Sequence, residues 1–232
     1  MVELRSFEDD RMKKRTLAGN AAIGFVVIAF ILIAVAFATP SWIVSDYRIT
    51  GARLDRFGLW THCFRSLPDP VDVYQYRFFV GCRWLYDPFT TGYDQIRGFL
   101  MPSFFKATQF FFTVCFIAVM ISALLTILYF LCCGPDMNRY VTLIRVNGGL
   151  LLVAGISGAI AVIVFASKAN KKGWMPGHQN NFFGWSFALA CIGVLAALVA
   201  SALFFSDAHV QQRKRKQLKD SQIRFEMEHE KI

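Results

Sequence analysis

Four stretches of this chain, 17–39, 107–131, 146–166 and 182–205, each run for at least 21 residues without Asp, Glu, Lys or Arg. A helix rises ~1.5 Å per residue, so about 20 apolar residues cross a ~30 Å hydrocarbon core. A helix on a soluble core would carry a polar face at the 3.6-residue period, and none of the four does. Four membrane-spanning helices are therefore expected. They account for a hydrophobic fraction of 55%, against about 45–50% in soluble domains. The first apolar run is too long for a signal-peptide core and lacks a small-residue cleavage site, so it reads as a retained helix. What remains is a short N-terminus (1–16), a long loop (40–106), two short loops (132–145 and 167–181) and a tail (206–232). None offers room for a separate soluble domain.

Basic residues set the expected orientation. Arg11, Lys13, Lys14 and Arg15 precede the first span, and Arg213, Lys214, Arg215, Lys216 and Lys219 follow the fourth. An even number of spans puts both clusters on one side, read here as cytoplasmic. Lys168, Lys171 and Lys172 in the second outer loop run against that rule. The net charge of +9 then needs no nucleic acid as partner; a basic tail beside anionic inner-leaflet lipid explains it.

The first loop, placed outside, reads as a small sheet. Runs 42–49 and 57–64 are partly apolar and aromatic. In 73–85, Tyr74, Tyr76, Phe78, Val80, Cys82 and Trp84 alternate with more polar neighbours, the period-2 signature of a strand. A turn at Leu67-Pro68-Asp69-Pro70 separates the last two runs. A short helix is expected over 93–99. Cys63 and Cys82 are the only cysteines of this loop. They lie in neighbouring expected strands, and in an oxidising compartment they should pair. Cys132 and Cys133, at the inner end of the second span, are candidates for palmitoylation. Small residues at helical spacing, Gly148, Gly155 and Ala159 in the third span and Gly193, Ala197 and Ser201 in the fourth, favour close helix contact in lipid.

Catalytic machinery is not legible. The spans as bounded hold no ionisable residue, the usual marker of a transport or chemical site in a membrane. His62, His178, His209 and His229 have no metal-ligand spacing, and no nucleophile motif appears. No enzyme, metal site or cofactor is expected, and no N-glycosylation sequon is present.

Trp42, then Gly58-Leu59-Trp60, then Cys63 and Cys82, resembles the W–GLW–C–C signature of the claudin superfamily. Arg97 before the second span, Arg145 ahead of Gly148-Gly149, and Phe183-Gly184-Trp185 at the fourth follow in the order that resemblance implies. Cys132-Cys133-Gly134 is similar to a tetraspanin signature, but there it belongs to a large outer loop between the third and fourth helices, so tetraspanins are rejected. The claudin resemblance implies a four-helix bundle carrying an extracellular antiparallel sheet. It also departs from the usual pattern. The two loop cysteines are separated by 18 residues, more than in classical claudins, which points towards divergent members such as those of insect septate junctions. The chain ends His229-Glu230-Lys231-Ile232, where Glu230 and Ile232 would fit only a weak class of PDZ-scaffold ligand.

The resemblance implies a junction protein contributing to adhesion and the paracellular barrier, with cis and trans oligomers of claudin-like proteins as partners. Lys171, Lys172, Trp174 and Met175 are the candidate contact tip of the second outer loop. The alternative is an auxiliary subunit regulating a channel or receptor, as in the calcium-channel gamma relatives.

Overall fold

The computed structural model describes residues 16–46, 48, 53–69, 72–74, 76–87, 97–98, 100–131, 140–169, 174–175 and 180–229. Side chains at 222, 225, 226, 228 and 229 are excepted. Among these residues, four helices are long and apolar enough to cross a membrane: α1 (Leu17–Ala38), α2 (Ser103–Leu131), α3 (Tyr140–Ala169) and α4 (Trp185–His229). Their outward faces keep Ile31, Phe110, Leu124, Ile163 and Leu195 exposed, as lipid-facing positions must. Small residues line the inner contacts. A methyl group on Gly155 would meet Leu198 of α4, and one on Gly193 would lie 2.8 Å from Ile33 of α1. The Ser201 hydroxyl donates to the Gly148 carbonyl at 2.8 Å. Small residues thus seat α4 against both α3 and α1.

Above one end of the bundle sits a five-stranded antiparallel sheet in the order β4-β3-β2-β1-β5. The strands are β1 (Ile43–Ser45), β2 (Leu54–Phe57), β3 (Thr61–Pro68), β4 (Phe78–Trp84) and β5 (Asn181–Phe183). Two expectations change here. The expected strand 57–64 is the end of β2 and the start of β3, with Gly58-Leu59-Trp60 as the turn between them. Gly58 is required at that turn, because a Cβ would lie 2.5 Å from Pro40 Cα and 2.7 Å from the Thr39 carbonyl. The expected strand 73–85 begins only at Phe78. Before it, the Asp72 carboxylate accepts from the amides of Tyr74, Tyr76 and Arg77 at 3.1, 2.8 and 2.9 Å, a side-chain turn that competes with strand pairing.

The segment between α3 and α4 also contributes to the sheet. Residues 182–183, expected at the start of the fourth span, instead pair with β1, Phe183 opposite Ile43, and the helix starts at Trp185. At its other end α4 does not stop near Phe205 but continues to His229. Of the expected helix at 93–99, Arg97 and Gly98 are helical; residues 93–96 and 99 lie outside the described set.

Candidate functional site

The sheet and its seat on the bundle are where this chain differs from a plain helical bundle. Trp42 joins the two. It follows α1 directly and is fully buried. Its ring stands edge-on to Phe112 of α2 and Phe165 of α3, both at 5.0 Å, and to Phe187 of α4 at 5.6 Å. Its Nε1 donates to the Ala36 carbonyl of α1 at 2.8 Å. One indole thus touches all four helices while its backbone pairs with the sheet, Trp42 N to the Phe57 carbonyl at 3.0 Å. The ring takes a central position among the helices, with its polar atom satisfied internally.

The Gly58-Leu59-Trp60 turn is tied to the bundle beside it. Leu59 is buried, and its carbonyl accepts from Gln109 Nε2 of α2 at 2.6 Å. Trp60 packs on Phe37 at 5.3 Å. Gly184, on the other side of Trp42, lets the chain before α4 press against the Ser41 carbonyl, where any Cβ would collide. Arg97 reaches across the same region, its guanidinium 5.9 Å from the Tyr86 ring centre. Trp42, Gly58, Leu59, Trp60 and Arg97 therefore cluster at the junction of sheet and helices.

Cys63 and Cys82 sit opposite each other in β3 and β4 and form a disulfide. In the chain-entropy view, closing a loop of this size contributes about 3 kcal/mol. On its inner side the sheet buries His62 between Phe57 and Phe64, ring centres 6.2 and 5.0 Å away. Burial, together with the nearby Arg83 guanidinium and against a weaker pull from Asp87, lowers its pKa from 6.5 to about 4. The imidazole is thus neutral at physiological pH.

The alternation in β4 points the other way from a core-facing strand. Phe79 is the buried residue, while Phe78, Val80 and Trp84 are 52%, 59% and 54% exposed. β4 is the terminal strand of the sheet among the described residues, so an apolar stripe runs along one end of the sheet. With it stand Tyr74 and Tyr76, exposed at the hairpin tip.

The expected contact tip of the second outer segment is different in the structure. Trp174 and Met175 are buried at 6% and 3% exposure. Trp174 packs against Phe57 of β2, Phe104 and Phe105 of α2 and Phe165 of α3, at 4.9–6.3 Å. An indole that finds such a pocket gains several kcal/mol by filling it, at ~25 cal/mol per Å². Lys171, Lys172, Cys132, Cys133, Glu230 and Ile232 lie outside the described residues.

A second polar centre, unexpected from the sequence, lies at the far end of the bundle. Asp207 is fully buried because α4 continues past the expected end of its span. Its Oδ1 accepts from the Thr16 hydroxyl at 2.6 Å and its Oδ2 from the Tyr129 hydroxyl at 3.3 Å. Tyr140 donates to the Tyr129 oxygen at 2.9 Å. Thr16 also caps α1 through Gly19 N at 3.0 Å, so one carboxylate gathers all four helices. Halfway up, Asn147 bridges the hydroxyls of Ser122 and Thr126 at 2.6 and 2.8 Å. These side chains form a hydrogen-bonded structural core, and among the described residues no group of three His, Cys, Asp or Glu is placed to hold a metal.

Comparison with curated proteins gave no match. A family model described as PMP-22/EMP/MP20/Claudin tight junction matches residues 27–206. That stretch runs from within α1 to the last turns before Asp207 and includes the whole sheet, its disulfide and the Trp42 anchor. With four membrane-crossing helices, a five-stranded sheet and that match over more than half its length, the chain belongs to the claudin superfamily.

Proposed function

We propose that this protein works at cell–cell junctions, using its sheet to adhere to neighbouring claudin-like molecules and restrict the paracellular path. The observation that carries this reading is β4, an edge strand with Phe78, Val80 and Trp84 exposed and a disulfide holding it to β3. An exposed apolar stripe on a terminal strand is a surface suited to contact with another chain. Anchoring through Trp42 gives such a contact a fixed orientation on the bilayer. Membership of the superfamily points to a structural rather than enzymatic role.

In this reading the sheet faces outward and both termini are cytoplasmic, since basic residues precede α1 in the sequence at 11–15 and recur at 213–219, in the part of α4 away from the sheet. Lys171 and Lys172 remain candidates for partner contact, Cys132 and Cys133 for palmitoylation, and Glu230 and Ile232 for a PDZ scaffold. The sheet serves adhesion.

The test is tagged protein in a polarised epithelium, with transepithelial resistance recorded before and after depletion. Enrichment at contacts between two expressing cells, a fall in resistance on depletion, and loss of enrichment in a Phe78→Ser, Val80→Ser variant are expected. Diffuse surface distribution with unchanged resistance would reject the junction reading. It would favour an auxiliary subunit whose sheet rests on a channel in the same membrane.

A further inference from the structure

An open groove of about 580 Å³ runs beside the turn between β2 and β3, where the sheet meets α2. Trp60, Arg97, Met101, Lys106, Phe110 and Thr113 line it. We propose that it seats one phospholipid of the leaflet on the sheet side, the phosphate at Lys106 and Arg97 and an acyl chain along Phe110 and Thr113.

Two observations carry this. Lys106, Phe110 and Thr113 lie at i, i+4 and i+7 on one face of α2, a span of ~10 Å along the helix axis. A cation stands at the sheet end of that face, and Phe110, 63% exposed, follows towards the hydrocarbon. The Thr113 hydroxyl is turned back onto the Gln109 carbonyl at 2.6 Å, which leaves its methyl for the groove. Among the described residues no carboxylate lines the groove, and the Lys106 ammonium has no ion-pair partner. A free phosphate complements only the cationic end, and a hydrocarbon only the apolar end. An amphiphile complements both, and the volume suits a headgroup with part of one chain.

The experiment uses the full chain in a neutral maltoside detergent with added diacyl phosphatidylglycerol, counting retained lipids by native mass spectrometry. Wild type is expected to keep one lipid more tightly than the rest. Lys106→Gln should weaken that lipid about fivefold, the effect of one interfacial charge, and Thr113→Trp should abolish it by filling the apolar end. Lys214→Gln, at the far end, should leave it unchanged, and excess glycerol 3-phosphate should not displace it. Thermal unfolding of each variant is followed in parallel; the exposed Lys106 makes its variant the deciding one if Thr113→Trp does not fold. Retention equal to wild type in Lys106→Gln overturns the proposal, as does displacement by glycerol 3-phosphate, which would leave a headgroup site without a lipid chain.

Discussion

The two ends of the bundle solve the same problem with different chemistry. At the sheet end, Trp42 draws α1–α4 together through three ring contacts and one hydrogen bond. At the far end, Asp207 draws them together through hydroxyls from Thr16 and Tyr129, with Tyr140 behind. The first anchor gains from burying a large ring, the second from satisfying a buried carboxylate that would be costly alone. Apolar packing tolerates the loss of one contact by partial relaxation, whereas a hydrogen-bonded carboxylate leaves several groups orphaned at once. Burial of the larger ring still makes the sheet end the greater contributor to stability, while the shared hydrogen bonds of Asp207 fix how the helices are placed at the far end.

Substitutions at the two ends break this comparison to different extents. Trp42→Ala should have the largest effect, about 4 kcal/mol, seen as a lowered thermal midpoint in detergent and faster tryptic cleavage of the β3–β4 hairpin. Replacing Cys63 and Cys82 together by Ser should cost about 3 kcal/mol, with cleavage of the hairpin rising while the helices stay protected. Asp207→Ala should cost about 2 kcal/mol, spare the hairpin, and increase exposure of the α2–α3 end; Asp207→Asn, which keeps an acceptor, should cost less. Combining Trp42→Ala with Asp207→Ala should give additive losses within about 0.5 kcal/mol, because the sites share no partner. A larger coupling would mean the two ends form one cooperative unit.

Acid offers a way to load one end only. His62 has a folded pKa of about 4, below its unfolded 6.5. The unfolded state therefore binds the proton first. The neutral ring's contribution is complete above about pH 6.5, falls as pH drops towards 4 and levels off below that, by no more than roughly 3 kcal/mol. Lowering pH from 7 to 4.5 should expose the hairpin to an acid-tolerant protease, and His62→Phe should flatten that response. An equal response in His62→Phe would assign the acid sensitivity to other groups.

How much of this was legible in the sequence depended on residue type. Cys63 and Cys82 stood out because two cysteines alone in an oxidising loop have few alternatives. Trp42 and Gly58-Leu59-Trp60 stood out as a signature, although their roles did not. Gly58 is needed because of Pro40, a neighbour 18 residues earlier that periodicity does not reveal. The aromatic alternation of β4 was visible, yet whether Phe78 or Phe79 faces inward depends on register, which pairing with β3 decides. Trp174 is an indole among lysines, and only the gap between Phe57 and Phe165 makes it a core residue. Asp207 escaped notice because it follows the apolar run, where a carboxylate reads as solvated. Its signal was the pair of tyrosines, Tyr129 and Tyr140, at the ends of the neighbouring helices.

The unbroken α4 has a mechanical consequence. From Asp207 to His229 the helix extends for ~33 Å at 1.5 Å per residue, several times the ~8 Å screening length of physiological salt. Arg213–Lys216 ride near its base and Arg224 well out along it. A helix of that length is a spacer by geometry. In the proposed reading, a scaffold gripping its outer end would be held at a set stand-off from the membrane, and a pull on it would pass through a single helix to the Asp207 clasp.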